Sequence, residues 1–565
     1  MPETAAAWQQ TYSLFGQGLG LSAVIAGLPI FIFLLLLGVL RKPAWMAGLV
    51  GLGSALLLAI GGYGMPVKPA VSAALYGAAF GLFPICWIIF WAIALFRVTS
   101  ESGKFEIIRD SIGRLTPDPR LQALLIAFAF GAFLEGAAGF GTPVAIAAAM
   151  LTGLGFSAFS ASALCLLANT APVAFGSIGI PVITLAGTTG LPLDKLSSAV
   201  GMLCSPLALI IPAYLIIAMG GFRAISGIVL PTLVAGGTFA GLQFLISTYL
   251  GPQLSSLLAA IISMLALVLL FRLPRYRPNP GEATYSMPPG ADLRRIGMHG
   301  SPSPAQVAVS RSGVEHSVRE VVRAWVPYAF LVICVVLWGI TPIQRALNRA
   351  TVIIGWPGLN DLVLRMPPVT KAPTLYHAAF SLNLLTASGT ACMVATLLSA
   401  IYLRVSPFRF LVTLGHVTKQ LAVPIVTVAL VLSVGFLMNY CGATATLGLA
   451  FASSGKLFPF FSPLLGVLGV FLTGSDTSSN ALFGNLQVIT ANHLGLDPVL
   501  MAGANAAGGV MGKMISLQTI AVAAAATGLS VQDQSRLFRF TLKHSLFLAF
   551  VIGCLAMIYA YGLHA

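Results

Sequence analysis

Charge is what this sequence has least of, and acid is scarcer than base. Its 565 residues include 30 Lys and Arg but only 15 Asp and Glu, 8% charged in all. Soluble globular chains are about a quarter charged, so a chain that is 58% hydrophobic with a mean hydropathy of +0.94 falls outside that class. Cysteine and histidine are also sparse. Cys86, Cys165, Cys204, Cys334, Cys392, Cys441 and Cys554 stand singly, with no CxxC and no histidine pair beside them, which speaks against a metal site or a disulfide framework. The seven histidines are spread out and mostly near loops, so they assemble neither metal ligands nor the nucleophile and base of a membrane-embedded enzyme. The first apolar segment follows "MPETAAAWQQ", which lacks the basic start of a cleaved signal peptide, and it reads as a retained span.

What the chain does have is apolar length. Stretches such as Leu21 to Leu40 and Leu75 to Leu95 recur throughout, and at about 20 residues per span they predict roughly 12 to 14 membrane segments. Lipid offers the backbone no hydrogen bonds, so each segment must be helical. The expected fold is an all-α polytopic membrane protein.

A net charge of +15 could suggest an anionic polymer as partner, but the basic residues sit in particular loops, as cytoplasmic loops require. Arg41 and Lys42 follow the first span; Arg97, Lys104, Arg109, Arg114 and Arg120 follow the third; Arg404, Arg409 and Lys419, then Arg536, Arg539 and Lys543, mark further cytoplasmic sides. Both termini then lie outside, the number of spans is even, and no nucleic-acid partner is needed. Residues 273–320, rich in Pro, Gly and Ser, read as a cytoplasmic tether between a membrane half at 1–272 and another at 321–565.

Each half contains an unusual block, and the two resemble one another. The first reads "FLEGAAGFGTPVAI" from Phe133 and "NTAPVAFGSIGIP" from Asn169; the second reads "FLTGSDTSSNALF" from Phe471 and "NAAGGVMGKMISL" from Asn505, and each closes on "TGL". The steps are 36 and 34 residues, an internal repeat. The basic loops make the two copies enter the membrane from opposite faces. Inverted repeats with broken helices are a recurrent plan of secondary transporters, which hold substrate between the repeats near the midplane. On that plan residues about 120–155 and 460–494 are re-entrant hairpins, and about 157–190 and 497–528 are broken helices.

The polar string Ser475, Asp476, Thr477, Ser478, Ser479, Asn480 is then a hairpin tip lining a watery cavity, with the positive N-terminal end of its second arm able to hold an anion. The alternative is an extracellular turn capped by Asp476. Lys513 lies among glycines far from any basic loop, and an intramembrane lysine is a functional candidate by default; alternatively it snorkels or neutralises Asp476. Asn169 and Asn505 either meet a ligand or tie down broken backbone. A small monoanion needs a cation or N–H groups for its carboxylate, a partner for its hydroxyl and a niche for its methyl. The candidate substrate-binding set is Lys513, Ser475, Thr477, Ser478, Asn169, Thr170, Asn505, Ser516, Gln518 and Gly139. For proton coupling the candidates are Asp476 and, in reserve, Glu135, since a carboxylate desolvated in a membrane holds its proton more firmly and a nearby ammonium opposes this. No cofactor or metal is expected.

The strings "GAFLEGAAGFGTPVAI", "NTAPVAFGSIGIP", "LRMPPV" at Leu364, "ASGTA" at Ala387, "FLTGSDTSSNALF" and "GGVMGKMIS" resemble the hallmarks of the bacterial L-lactate permease family, over nearly the whole chain. The resemblance implies a multi-pass importer of the bacterial cytoplasmic membrane that carries lactate, and often glycolate, with protons. Leu517 stands where the family usually has proline, although Pro181 keeps that residue in the first repeat, and "SLNLLTASGTA" lacks an acidic residue expected near Asn383.

Overall fold

The computed structural model describes residues 7–562 apart from 17, 39, 41, 114, 117, 140, 141 and 274–315. The tether expected at 273–320 therefore lies almost wholly outside the described residues, as do Arg41 and Arg114. The described chain is a polytopic, predominantly helical membrane protein. Eleven helices are long and apolar enough to cross a bilayer, or twelve if Ala158–Ala168 and Val173–Thr189, bent by 67°, make one span. Three more apolar helices, Pro143–Gly153, Ser255–Phe271 and Ser388–Tyr402, fall short of full length, against the roughly 20 residues a span needs. The count of twelve meets the lower end of the expected 12 to 14 segments.

Helix starts are written locally. Ser157, Ser406, Ser475, Asp497, Ser516 and Ser530 each accept a hydrogen bond from a backbone N–H in the first turn of the helix that follows, which satisfies one of the four donors left unpaired there. Ser317 and Glu320 close a full capping box on Val318–Gly339. The break at Met514–Ser516 is completed in this way. Ser516 caps Leu517–Thr527, so that helix starts on a side-chain cap with no proline in its first turn.

Small residues let helix backbones meet. A Cβ added at Gly466 would stand 1.9 Å from the Asn505 carbonyl oxygen, and one at Gly508 would stand 2.0 Å from that of Pro463. The helices Phe458–Thr473 and Pro498–Lys513 thus pack backbone to backbone, the arrangement favoured where apolar burial gives no net drive between helices.

One part of the fold is not helical. Trp8–Gln9 pairs in parallel with Val363–Arg365, which pairs antiparallel with Thr374–Leu375, and Val352–Gly355 pairs antiparallel with Ala379–Leu382. Gln10 Nε2 donates to the carbonyls of Asn439 at 3.0 Å and Tyr440 at 2.8 Å, Tyr376 stacks on Tyr440, and the Arg365 guanidinium lies 3.5 Å from the Tyr376 ring centroid. This cap ties the N-terminal segment to the end of the helix Pro407–Cys441. The all-helical expectation omits it.

A buried charged cavity between four interrupted segments

Only five charged side chains are buried among the described residues: Asp118, Arg120, Glu135, Asp476 and Lys513. Asp118 and Arg120 pair with each other at 3.0 Å, and Arg120 also donates to the carbonyls of Ala224 and Ser226. That pair locks the start of the helix beginning at Pro119. The other three charges line one cavity of about 80 Å³, with Ser177, Ser475, Thr477, Gln518 and Thr519 among its walls.

Four chain interruptions build it. Glu135 sits on Gly131–Ala137, which ends at Ala138 and at Gly139, whose φ is +60°. The following helix, Thr142–Gly153, packs alongside. The helix Ala158–Ala168 ends at Asn169, and after the turn Val173–Phe175 the backbone of Ser177, Ile178 and Gly179 runs left-handed, with φ of 46°, 61° and 76°. Such conformations are costly for side-chain-bearing residues and cluster at functional sites. Phe458–Thr473 ends at Gly474, with φ +71°, and Ser475 caps Asp476–Leu494. Pro498–Lys513 ends on the lysine itself, at the negative end of its helix.

Lys513 Nζ lies 3.9 Å from Glu135 Oε1, with both side chains nine-tenths or more buried. Glu135 Oε2 has no hydrogen-bond partner, and neither oxygen of Asp476 has one. Asp476 rests on helix backbone: a Cβ at Gly509 would lie 2.2 Å from its Oδ1. The ion pair therefore joins Glu135, before residues 273–320, to Lys513, after them; neutralisation of Asp476, the alternative weighed for Lys513 in the sequence, is not the ion pair formed.

Of the candidates, Lys513, Ser475, Thr477, Gln518, Asp476 and Glu135 are brought together around the cavity. Ser478 is buried, and its backbone N–H is spent on Ser475 Oγ. Ser516 serves as a cap and bonds Thr519 at 2.6 Å. Asn505 is fully buried in a side-chain chain: its Nδ2 donates to Asn480 Oδ1 at 2.9 Å, its Oδ1 accepts from Gln487, and Asn480 in turn donates to the Pro181 carbonyl at 3.1 Å. It stands mid-helix, tying the second block to the first, and does not line the cavity. Asn169 caps the end of Ala158–Ala168 with its Nδ2 unpartnered, and Thr170 bonds the Leu167 carbonyl. Gly139 packs on Ser177, whose Oγ donates to the Ala138 carbonyl.

Ser177 and Thr519 are wall residues absent from the candidate set. Ser177 follows Asn169 by the same eight residues that separate Lys513 from Asn505, a spacing in the sequence that could have pointed to it. Gly139→Val should cost about 2 to 3 kcal/mol, because its φ is +60° and its Cβ would lie 1.9 Å from Ser177 Oγ. A lowered midpoint of thermal unfolding in detergent checks this, and an unchanged midpoint would show that the tip readily rearranges.

Many spans enclosing a buried, charged cavity at the meeting of interrupted helices define a membrane transport protein, in which intramembrane charge marks the path of the solute. The chain belongs to the L-lactate permease family, whose pattern it matches over residues 22–563. It is 42% identical to the L-lactate permease of Salmonella typhimurium over 562 residues, 98% of each chain. It is likewise 42% identical to the glycolate permease GlcA of Escherichia coli over 560 residues, 98% of each, and to the L-lactate permease of Bacillus subtilis over 559 residues, 96% of this chain and 97% of that one. A permease moves its solute unchanged, and the protein is a transporter and not an enzyme.

Proposed function

We propose that the protein imports L-lactate and related 2-hydroxymonocarboxylates such as glycolate, by proton symport across the bacterial cytoplasmic membrane, with both termini outside. The observation that carries this reading is the buried Lys513 ammonium facing a polar cavity that also holds two carboxylates. The substrate carboxylate takes Lys513 in a charge-assisted hydrogen bond. Ser475, Thr477 and Gln518 supply partners for the 2-hydroxyl, and Val173, Ile180 and Val522 supply an apolar wall for the methyl group. The two blocks act as inverted repeats, with the interrupted segments near the midplane, and a cavity carboxylate carries the proton. D-Lactate differs only in the hand of one carbon and is a second candidate. The names of the full-length relatives favour lactate and glycolate over other small organic anions.

Uptake of labelled L-lactate into proteoliposomes with an alkaline interior tests this reading. Accumulation is expected, with competition by glycolate, and with acetate, which lacks the 2-hydroxyl and so leaves Ser475, Thr477 and Gln518 without that partner, at least about tenfold weaker. Equal competition by acetate, or no uptake of lactate or glycolate, would refute it.

A further inference from the structure

We propose that Glu135 is a built-in substitute for the substrate carboxylate: it holds Lys513 in the empty carrier, and it becomes the proton site when the substrate displaces it, at one proton per anion and no net charge. The inference rests on the transport reading above and adds to it the residue, the order of events and the stoichiometry.

Three observations place Glu135 in this role. Its Oε1 is 3.9 Å from Lys513 Nζ, close enough to neutralise it and too long for a tight hydrogen bond. Its Oε2 is buried without a partner, so one acceptor is left for a proton. It is also confined, since a Cβ at Gly176 would stand 2.7 Å from Oε1. The Gly176 backbone thus limits its movement on that side.

Lys513 is the one cation that lines the cavity. The elements packed on Gly131–Ala137 are Ala123–Phe130, Thr142–Gly153, Ala158–Ala168, Val173–Phe175, Gly176–Thr189 and Ser255–Phe271. None of them contains Asp, Glu, Lys, Arg or His; Cys165 lies on one of them, Tyr328 packs against Phe133, Arg536 lies over the Phe159 ring at the start of Ala158–Ala168, and Arg120, just before Ala123–Phe130, is paired with Asp118. Across the cavity stand Lys513 and Asp476, with Cys204 near the latter. Asp476 has no donor on either oxygen. In the proposal it does not change protonation between the empty and loaded forms, so it drops out of the difference between them.

The bookkeeping is then simple. The empty site holds an ammonium and a carboxylate. A proton from the outer solution forms an O–H bond on Glu135, the ion pair is lost, and the substrate carboxylate takes the ammonium. The loaded site again holds one ammonium and one carboxylate, now the substrate's, so both forms have the same charge. The half-loaded forms, proton without anion or anion without proton, carry an extra buried charge that costs several kcal/mol. They do not cross, and coupling is therefore obligatory. In import, protonation readies the cation for the substrate.

The test uses reconstituted full-length protein. Glu135→Gln fixes the protonated form: it should lose proton-driven accumulation of lactate by at least about tenfold while still exchanging internal for external lactate. In wild type, the apparent affinity for lactate in exchange should weaken by up to about tenfold per pH unit as pH rises, the limit for one linked proton, and in Glu135→Gln it should not change with pH. Wild-type uptake should be unaffected by a potassium diffusion potential of either sign. Accumulation by Glu135→Gln, pH-dependent exchange surviving in it, loss of exchange together with accumulation, or wild-type uptake driven by the potential would each overturn the proposal. Wild-type protein that moves neither lactate nor glycolate would instead sink the transport reading itself.

Discussion

Replacing Lys513 by alanine is expected to lower lactate uptake at least about a hundredfold while leaving the protein in the membrane. Truncating one partner of a buried, hydrogen-bonded charge pair typically costs about 2 to 5 kcal/mol, and Lys513 is the one cation lining the cavity. The substitution also strands Glu135, which is 2% exposed and faces no other cation there. A stranded buried carboxylate is destabilising in its own right, so the folded fraction must be measured beside transport. Lys513→Ala with Glu135→Gln removes both charges together. It should recover stability relative to Lys513→Ala alone without recovering uptake, because the substrate still lacks its cation. Uptake by either variant at the wild-type apparent affinity would remove Lys513 from the binding site.

A second large effect is expected where no substrate is touched. Gly508→Ala should lower stability by about 1 to 3 kcal/mol or more, since the new methyl would lie 2.0 Å from the carbonyl oxygen of Pro463 and 2.6 Å from its Cα. Backbone cannot rotate out of the way as a side-chain end can, so the helix Pro498–Lys513 would be pushed off Phe458–Thr473. The cavity would lose its shape with it, because Lys513 and Asp476 follow from those helices. Gly241→Ala is the control. It lies in Val229–Tyr249 with nothing within 4 Å of the added Cβ, and it should be neutral or slightly stabilising, as alanine is the better helix former. Thermal unfolding and monodisperse yield in detergent read both variants, and equal behaviour would contradict the close packing.

These predictions also mark what a sequence can and cannot disclose. Membrane class follows from scarce charge and long apolar runs, because lipid imposes helix on every span. Helix starts at Ser157, Ser475 and Ser516 rest on caps, contacts within three residues, a local signal that the sequence-based expectations leave unused. The polar tip at 475–477 and the isolated Lys513 stand out because each is expensive in an apolar setting. Pairing over distance is hidden. The strand at Trp8–Gln9 finds its partner more than 350 residues away at Val363, and the strands of the cap are too short to show a pattern of their own. For Asn505 the sequence leaves open a ligand contact or a structural tie, and its hydrogen bonds are consumed by Asn480 and Gln487. That Lys513 meets Glu135 depends on how the two halves dock, which no local pattern encodes.

The central claim is that one cavity, with Lys513 as its cation and Glu135 as the group displaced, receives the substrate carboxylate. An experimental structure of the wild-type protein with L-lactate bound, at a resolution that places the ligand carboxylate, tests it most directly. The account predicts lactate between Ser475 and Gln518 with its carboxylate within hydrogen-bond distance of Lys513 Nζ, and Glu135 no longer the nearest acid to that nitrogen. Lactate bound elsewhere, or in this cavity with the Lys513–Glu135 pair intact, would contradict it.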